Sequence, residues 1–179
     1  DAAIISGTGQ QAKALVEAGY IMASIGVKTK GPRGDGKFLN DVAFGSYNKR
    51  ITCPVTPFDW LSRDAENVRK YADDPLCGFA AKVSLYRDMM GGIKFISNQS
   101  NVDKMNKEPP IYFMSGAEDP VGDYGAGVER AYDSFCKAGL EDVFLRLYPG
   151  GRHEMLNEIN REEVYGDILN WLNEKLLKI

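Results

Sequence analysis

The sequence has one histidine and three cysteines in 179 residues, too few for most metal or disulfide chemistry. Cys53, Cys77 and Cys136 form no C-x-x-C pair, so neither a zinc site nor a disulfide framework is expected. The single histidine, His153, has no second histidine four residues on, which removes the zincin pattern. No apolar run approaches the ~18 residues of a membrane helix, and no charged-then-apolar leader opens the chain. Charge of one sign is also missing. Lys and Arg number 22 against 25 Asp and Glu, a formal net charge of -3, with no basic run to attract nucleic acid or an anionic membrane. The expectation is a protein of a reducing, cytoplasmic compartment with no transmembrane segment, metal or cofactor.

What is present is the balance of a globular domain: 44% hydrophobic, 11% aromatic and 26% charged residues. The chain opens at Asp1 directly into an apolar run, as a processed protein or the back half of a longer one would. AAIIS (2–6) is short, apolar and stopped by Gly7-Thr8-Gly9, which predicts a buried strand entering a turn. Residues 10–26 read as helix, and KTKGPRGDGKF as a loop rich in Gly, Pro and charge. Between about 38 and 107 the patterns are helical without a strand, including FDWLSRDAENVRKYADD and AAKVSLYRDMMGGIKFISN. IYFMSG (111–116) and VFLRLY (143–148) are two further strands. Val128, Ala131, Tyr132, Phe135 and Cys136 mark one face of the helix between them, with Gly139 suited to its cap. Asn160 and Glu163 cap a last helix whose face carries Val164, Ile168, Trp171, Leu172 and Leu176. Strand–helix alternation at this spacing predicts α/β architecture with a parallel sheet of about three strands.

In an open parallel sheet, chemistry collects in loops at the carboxyl ends of strands. Those loops are SGTGQQ, AEDPVGDYG with Asp119, and PGGRHE with His153. Asp119 and His153 lie one helix and one strand apart. If their strands are neighbours, the side chains can hydrogen-bond, giving two members of a nucleophilic triad in the acid-then-histidine order. Gly7-Thr8-Gly9-Gln10-Gln11-Ala12 also fits G-x-G-x-x-G/A. A dinucleotide site would need a second strand ending in an acid ~20 residues on. That region is GVKTKGPRGDG, with no strand before Asp35.

FGSYNKR (44–50), TPFDWLSRD (56–64), YADDPLCGF (71–79), SGAEDPVGDYGAGV (115–128) and YPGGRHEMLNE (148–158) extend this reading. Together they resemble the lysophospholipase and monoacylglycerol-lipase-like serine hydrolases of the α/β-hydrolase fold. The resemblance runs in order over essentially the whole chain. It implies that Asp119 is the triad acid and His153 the triad histidine. It also implies a hydrolase core over 1–26 and 108–179 with an inserted helical cap over 27–107. Met22, Met89, Met90, Phe95 and Ile96 are candidates to line an acyl tunnel, or equally to pack the cap on the core.

One part of the family's pattern is missing. No G-x-S-x-G nucleophile elbow occurs in these residues, and Ser6, Ser46, Ser62 and Ser115 lack its strand–turn–helix context. The resemblance is to the C-terminal half of such an enzyme, inert by itself. AAIIS would then be an apolar edge paired in life by a missing N-terminal half or a second copy. Two classes remain open. One is part of a serine ester hydrolase acting on acyl-glycerol, lysophospholipid, another small-molecule ester or, as in serine aminopeptidases, a peptide. The other is a non-catalytic binding or structural fragment.

Overall fold

The computed structural model describes residues 1–176, the side chain of Leu176 excepted. The elements in chain order are β1 (Ala3–Ser6), α1 (Lys13–Lys30), α2 (Lys37–Phe44), α3 (Ala65–Asp73), α4 (Val83–Ile96) and α5 (Gln99–Val102), followed by β2 (Ile111–Gly116), α6 (Ala126–Lys137), β3 (Val143–Tyr148) and α7 (Arg161–Leu176). Short 3-10 turns lie at Tyr47–Arg50, Asp59–Leu61 and Met155–Asn157.

All three strands are parallel, in the spatial order β1-β2-β3, with Ala3 opposite Ile111 and Ile111 opposite Val143. β2 is central and every one of its residues is buried, as an unbroken apolar run covered on both faces requires. Period-two alternation divides its side chains. Tyr112 and Met114 pack with Val164, Ile168, Trp171 and Leu172 of α7, together with Tyr148 and Met155. Ile111 and Phe113 pack with Val128, Ala131, Tyr132 and Phe135 of α6. Phe113 is 1% exposed, and burying such a side chain contributes about 1.5–3 kcal/mol. β1, paired on one side only, keeps Ala3, Ile4 and Ile5 half-buried.

Between β1 and β2 the described residues hold helices and turns, with one isolated antiparallel bridge from Asp35 to Lys82 and no further strand of the sheet. Ala23 of α1, Leu39 of α2 and Val83 and Tyr86 of α4 form a separate small core there. None of the described helices is long and apolar enough to cross a membrane.

β1 is half-buried rather than buried as expected, because it is paired on one side only, and its last residue, Ser6, is exposed. Three further local expectations change. The first helix runs from Lys13 to Lys30 rather than 10 to 26. Its expected first residues are held elsewhere: Gln10 N–H donates to Gly127 O at 2.8 Å, and Gln11 Nε2 to Val121 O at 2.9 Å. It stops where Gly31 turns to φ 77 ahead of Pro32. FDWLSRDAENVRKYADD breaks at Ser62–Asp64, because the Asp64 carboxylate accepts from Glu66 and Asn67 N–H and starts a new helix, α3. Cys136 is exposed, one position beyond the buried arc of α6.

Candidate active site

The loops after β2 and β3 leave the same edge of the sheet. Asp119 lies in the first, with no exposed surface. Its Oδ1 accepts from Val121 N–H at 2.8 Å, and its Oδ2 from Ser115 Oγ–H at 3.3 Å. His153 lies in the second, with Nδ1 3.0 Å from Asp119 Oδ2. A carboxylate only accepts, so the neutral imidazole carries its proton on Nδ1 and leaves Nε2 basic. Nε2 has no hydrogen-bond partner among the described residues. Three donors around one buried carboxylate offset the cost of removing it from water.

Two glycines permit this approach. An ideal Cβ on Gly116, the last residue of β2, would stand 2.1 Å from the Gly151 carbonyl carbon of the histidine loop. A Cβ on Gly7, where φ is +62, would stand 2.9 Å from His153 Cε1. The glycines after β1 therefore serve close contact, Gly7 with the histidine loop and Gly9 with Val121 and Gly122 of the Asp119 loop, a role independent of any dinucleotide fingerprint.

The segment from Phe44 to Asp64 lies over these loops. The Trp60 ring is 5.3 Å from the His153 ring and stacks on Phe44 at 6.2 Å, with Tyr47 edge-on at 4.9 Å. The Tyr47 hydroxyl is pushed above its ordinary pKa, first by burial and then by the negative charge of Asp119. Arg50 sits 3.4 Å over the ring of Tyr124 in the Asp119 loop. That loop holds Asp123 and Tyr124 at φ 51 and 55, two consecutive left-handed non-glycine residues next to the site. Behind Trp60 is a cavity of about 440 Å³, lined by Phe44, Phe58, Tyr71, Phe79 and Met89 among others.

Asp119 and His153 are thus brought together. The five apolar candidates are not gathered on one wall. Met89 lines the cavity, and both it and Met22 pack on the small helical core. Met90 fills the space beside Gly19 between α1 and α4. Phe95 and Ile96 are exposed at the end of α4, next to Ser97, whose carbonyl accepts from Gln10 Nε2 at 3.2 Å. The aromatic residues around the cavity were missed. Their signal was the aromatic residues Phe44, Phe58, Trp60, Tyr71 and Phe79, which fall inside three of the segments that carry the resemblance.

A histidine oriented by a buried carboxylate at the carboxyl edge of a parallel sheet has the geometry of a hydrolase acid–base pair. Comparison with known proteins fixes the class. A family model described as serine aminopeptidase, S33 matches residues 3–160, and the chain belongs to this family. Among solved structures it is similar to a thermostable carboxyl esterase from Bacillus coagulans, with 29% identity and a TM-score of 0.82 over 96% of this chain. It is also similar in fold to a lipase in an open form, at 24% identity and a TM-score of 0.80. A soluble variant of monoglyceride lipase from Saccharomyces cerevisiae, in complex with a substrate analogue, shares the fold at 20% identity and a TM-score of 0.66. The chain covers 56%, 56% and 55% of these three structures. It is a partial α/β-hydrolase fold, spanning about half the length of the structures it matches.

Proposed function

We propose that this chain supplies the acid and the histidine of a serine ester hydrolase acting on acyl-glycerol or lysophospholipid-type esters. The observation that carries the reading is the 3.0 Å contact between His153 Nδ1 and Asp119 Oδ2. The nucleophile is outside these residues, because no G-x-S-x-G occurs in them and no serine hydroxyl among the described residues hydrogen-bonds His153. In the assembled site His153 Nε2 takes the serine proton as the oxygen adds to the ester carbonyl. It returns that proton to the departing alcohol, leaving an acyl-enzyme. Water then repeats the exchange and frees the acid.

The cavity behind Trp60 supports an acyl substrate. Its volume falls in the ~300–1,000 Å³ range of small-molecule sites, and its walls are mostly apolar, with six aromatic residues among them. Asp41, the one acidic residue in the lining, is bonded to Lys37 at 2.9 Å, which favours an acyl chain over a peptide amine. Residues 27–107 form the cap in this reading and 1–26 with 108–179 the core, although α1 runs unbroken across that boundary. Met22, Met89, Met90, Phe95 and Ile96 are carried as acyl contacts. The free edge of β1 takes the strand of the missing half or of a second copy, and the three free cysteines support a cytoplasmic setting.

The chain alone should neither hydrolyse p-nitrophenyl esters nor take up a fluorophosphonate label. In a protein that also carries the elbow, His153→Ala should lower kcat by about 10⁶ and Asp119→Asn by about 10⁴, with the fold intact. Wild-type turnover in either variant would sink the reading.

A further inference from the structure

Glu158 is a carboxylate with no exposed surface, five residues beyond His153. Its Oε1 accepts from Arg63 N–H at 3.1 Å and from Arg152 N–H at 2.9 Å. Its Oε2 accepts from the Arg63 guanidinium Nε at 2.9 Å and from Ile159 N–H at 3.0 Å. Four donors from three places in the chain converge on one buried charge, which is how such a charge is tolerated away from water. Two belong to Arg63 in the segment above the site, and one belongs to the residue directly before His153.

The same junction is closed from the other side. Arg152 Nη1 donates to Asp59 O at 2.7 Å and to Ser62 O at 3.0 Å. His153 N–H donates to Trp60 O at 3.4 Å, and Glu154 N–H to Leu61 O at 2.8 Å. The backbone around His153 is thereby fastened along residues 59–63, with Glu158 as the point where both strands of that seam meet. The Trp60 ring is placed on the imidazole by this fastening.

We propose that Glu158 is a positioning residue for His153: by holding Arg63 and the Arg152 peptide together, it sets the imidazole so that Nδ1 meets Asp119. The proposal rests on the acid–histidine reading above and adds a residue to it. The bond at stake is short and directional, so a shift of about 1 Å in the loop would break it.

His153 is the only histidine, so its ring gives a single set of signals in a two-bond ¹H–¹⁵N correlation spectrum of the uniformly labelled 179-residue chain. Recorded where the imidazole is neutral, the spectrum reports which nitrogen bears the proton. The wild-type chain should show the Nδ1–H tautomer. Glu158→Gln, checked for a dispersed amide spectrum, should drop that tautomer below half in favour of Nε2–H. Arg161→Ala removes a different tie to the same segment, Arg161 Nη1 to Asp64 Oδ2 at 3.0 Å, with a longer contact to the Glu158 carbonyl at 3.4 Å, keeps all four donors on the Glu158 carboxylate, and should leave the tautomer unchanged. Arg63→Lys keeps the charge but loses the Nε donor, and should give a smaller shift of the same sign. It decides the matter if Glu158→Gln does not fold. A folded Glu158→Gln or Arg63→Lys chain with the wild-type tautomer would overturn the positioning role and leave the Asp119–His153 pairing standing. An equal shift in Arg161→Ala would overturn it too, by showing that any loosening of the segment suffices. A wild-type chain in the Nε2–H form would overturn the pairing itself, and the positioning role with it.

Discussion

β2 buries all six of its residues, whereas α4, with fourteen, buries only Val83 and Tyr86. The same contrast holds for their surroundings. The sheet is covered on both faces by clusters that include α6 and α7. The helical layer has a four-residue core and leaves Phe38, Phe79 and Leu85 exposed. The sheet is placed by apolar burial. The layer over the site is fastened at a few polar points, notably Arg63 on Glu158, Arg152 on the carbonyls of Asp59 and Ser62, and Arg161 on Asp64. Hydrophobic contact is non-directional, while these bonds have one geometry each. The precise location of the layer is therefore set by directional polar bonds, charged and neutral, and its existence by modest burial.

The largest effect expected from this contrast is on stability. Phe113→Ala should cost about 3–5 kcal/mol, since a fully buried ring on the central strand leaves a cavity that the sheet cannot close. Leu39→Ala, in the small helical core, should lie at the low end of the range for such truncations, about 2 kcal/mol. Urea unfolding of both variants checks this. A loss for Leu39→Ala equal to that for Phe113→Ala would break the comparison.

What could be read from the sequence follows the same division. IYFMSG and VFLRLY are strands over the residues expected, because short apolar runs bounded by Pro, Gly and charge have few other uses. Asp119 and His153 could be paired in advance because neighbouring parallel strands bring successive loops to one edge. The first helix was displaced at both ends, since its start depends on where Gln10 and Gln11 find partners more than a hundred residues away. The break at Ser62–Asp64 depends likewise on Ser62 Oγ reaching Asn157 O and on Arg63 reaching Glu158. Such long-range polar contacts leave no periodicity. Glu158 was accordingly invisible as anything but one letter of YPGGRHEMLNE.

A second effect, of intermediate size, is on the pH dependence of stability. The Tyr148 hydroxyl is held far above the ordinary phenol range, first by burial and then by its hydrogen bonds with Tyr112 and Asp167. Above about pH 10 the unfolded chain releases this proton while the folded chain retains it. Stability from this group is therefore complete below pH 10 and falls as pH rises beyond it. The arginine ties of the helical layer stay charged throughout that range. Tyr47, in the layer over the site, is also raised by burial and adds a decline of the same sign, so the share of Tyr148 is read from its variant. Tyr148→Phe should cost about 1–2 kcal/mol at neutral pH, yet flatten the decline above pH 10. An unchanged alkaline slope in the variant would assign the decline to other groups.

The smallest expected effect is on stability at the end of α4, and there the comparison bears on function. Phe95 and Ile96 are each 64% exposed, so neither contributes much to either core. Phe95→Ser and Ile96→Ser should each change stability by less than about 0.5 kcal/mol, as exposed substitutions generally do. The two residues nonetheless stand beside the loop after β1, joined to it by the Gln10–Ser97 bond. If they contact an acyl chain, the same variants in an elbow-bearing protein should raise KM for long-chain esters and leave kcat and short-ester turnover alone. Each methylene withdrawn from contact is worth about 0.8 kcal/mol, so the rise in KM should steepen with chain length. A KM independent of chain length would remove Phe95 and Ile96 from the acyl path. A stability loss above 1 kcal/mol would instead show that the helical layer relies on them for packing, and the contrast between the two regions would narrow.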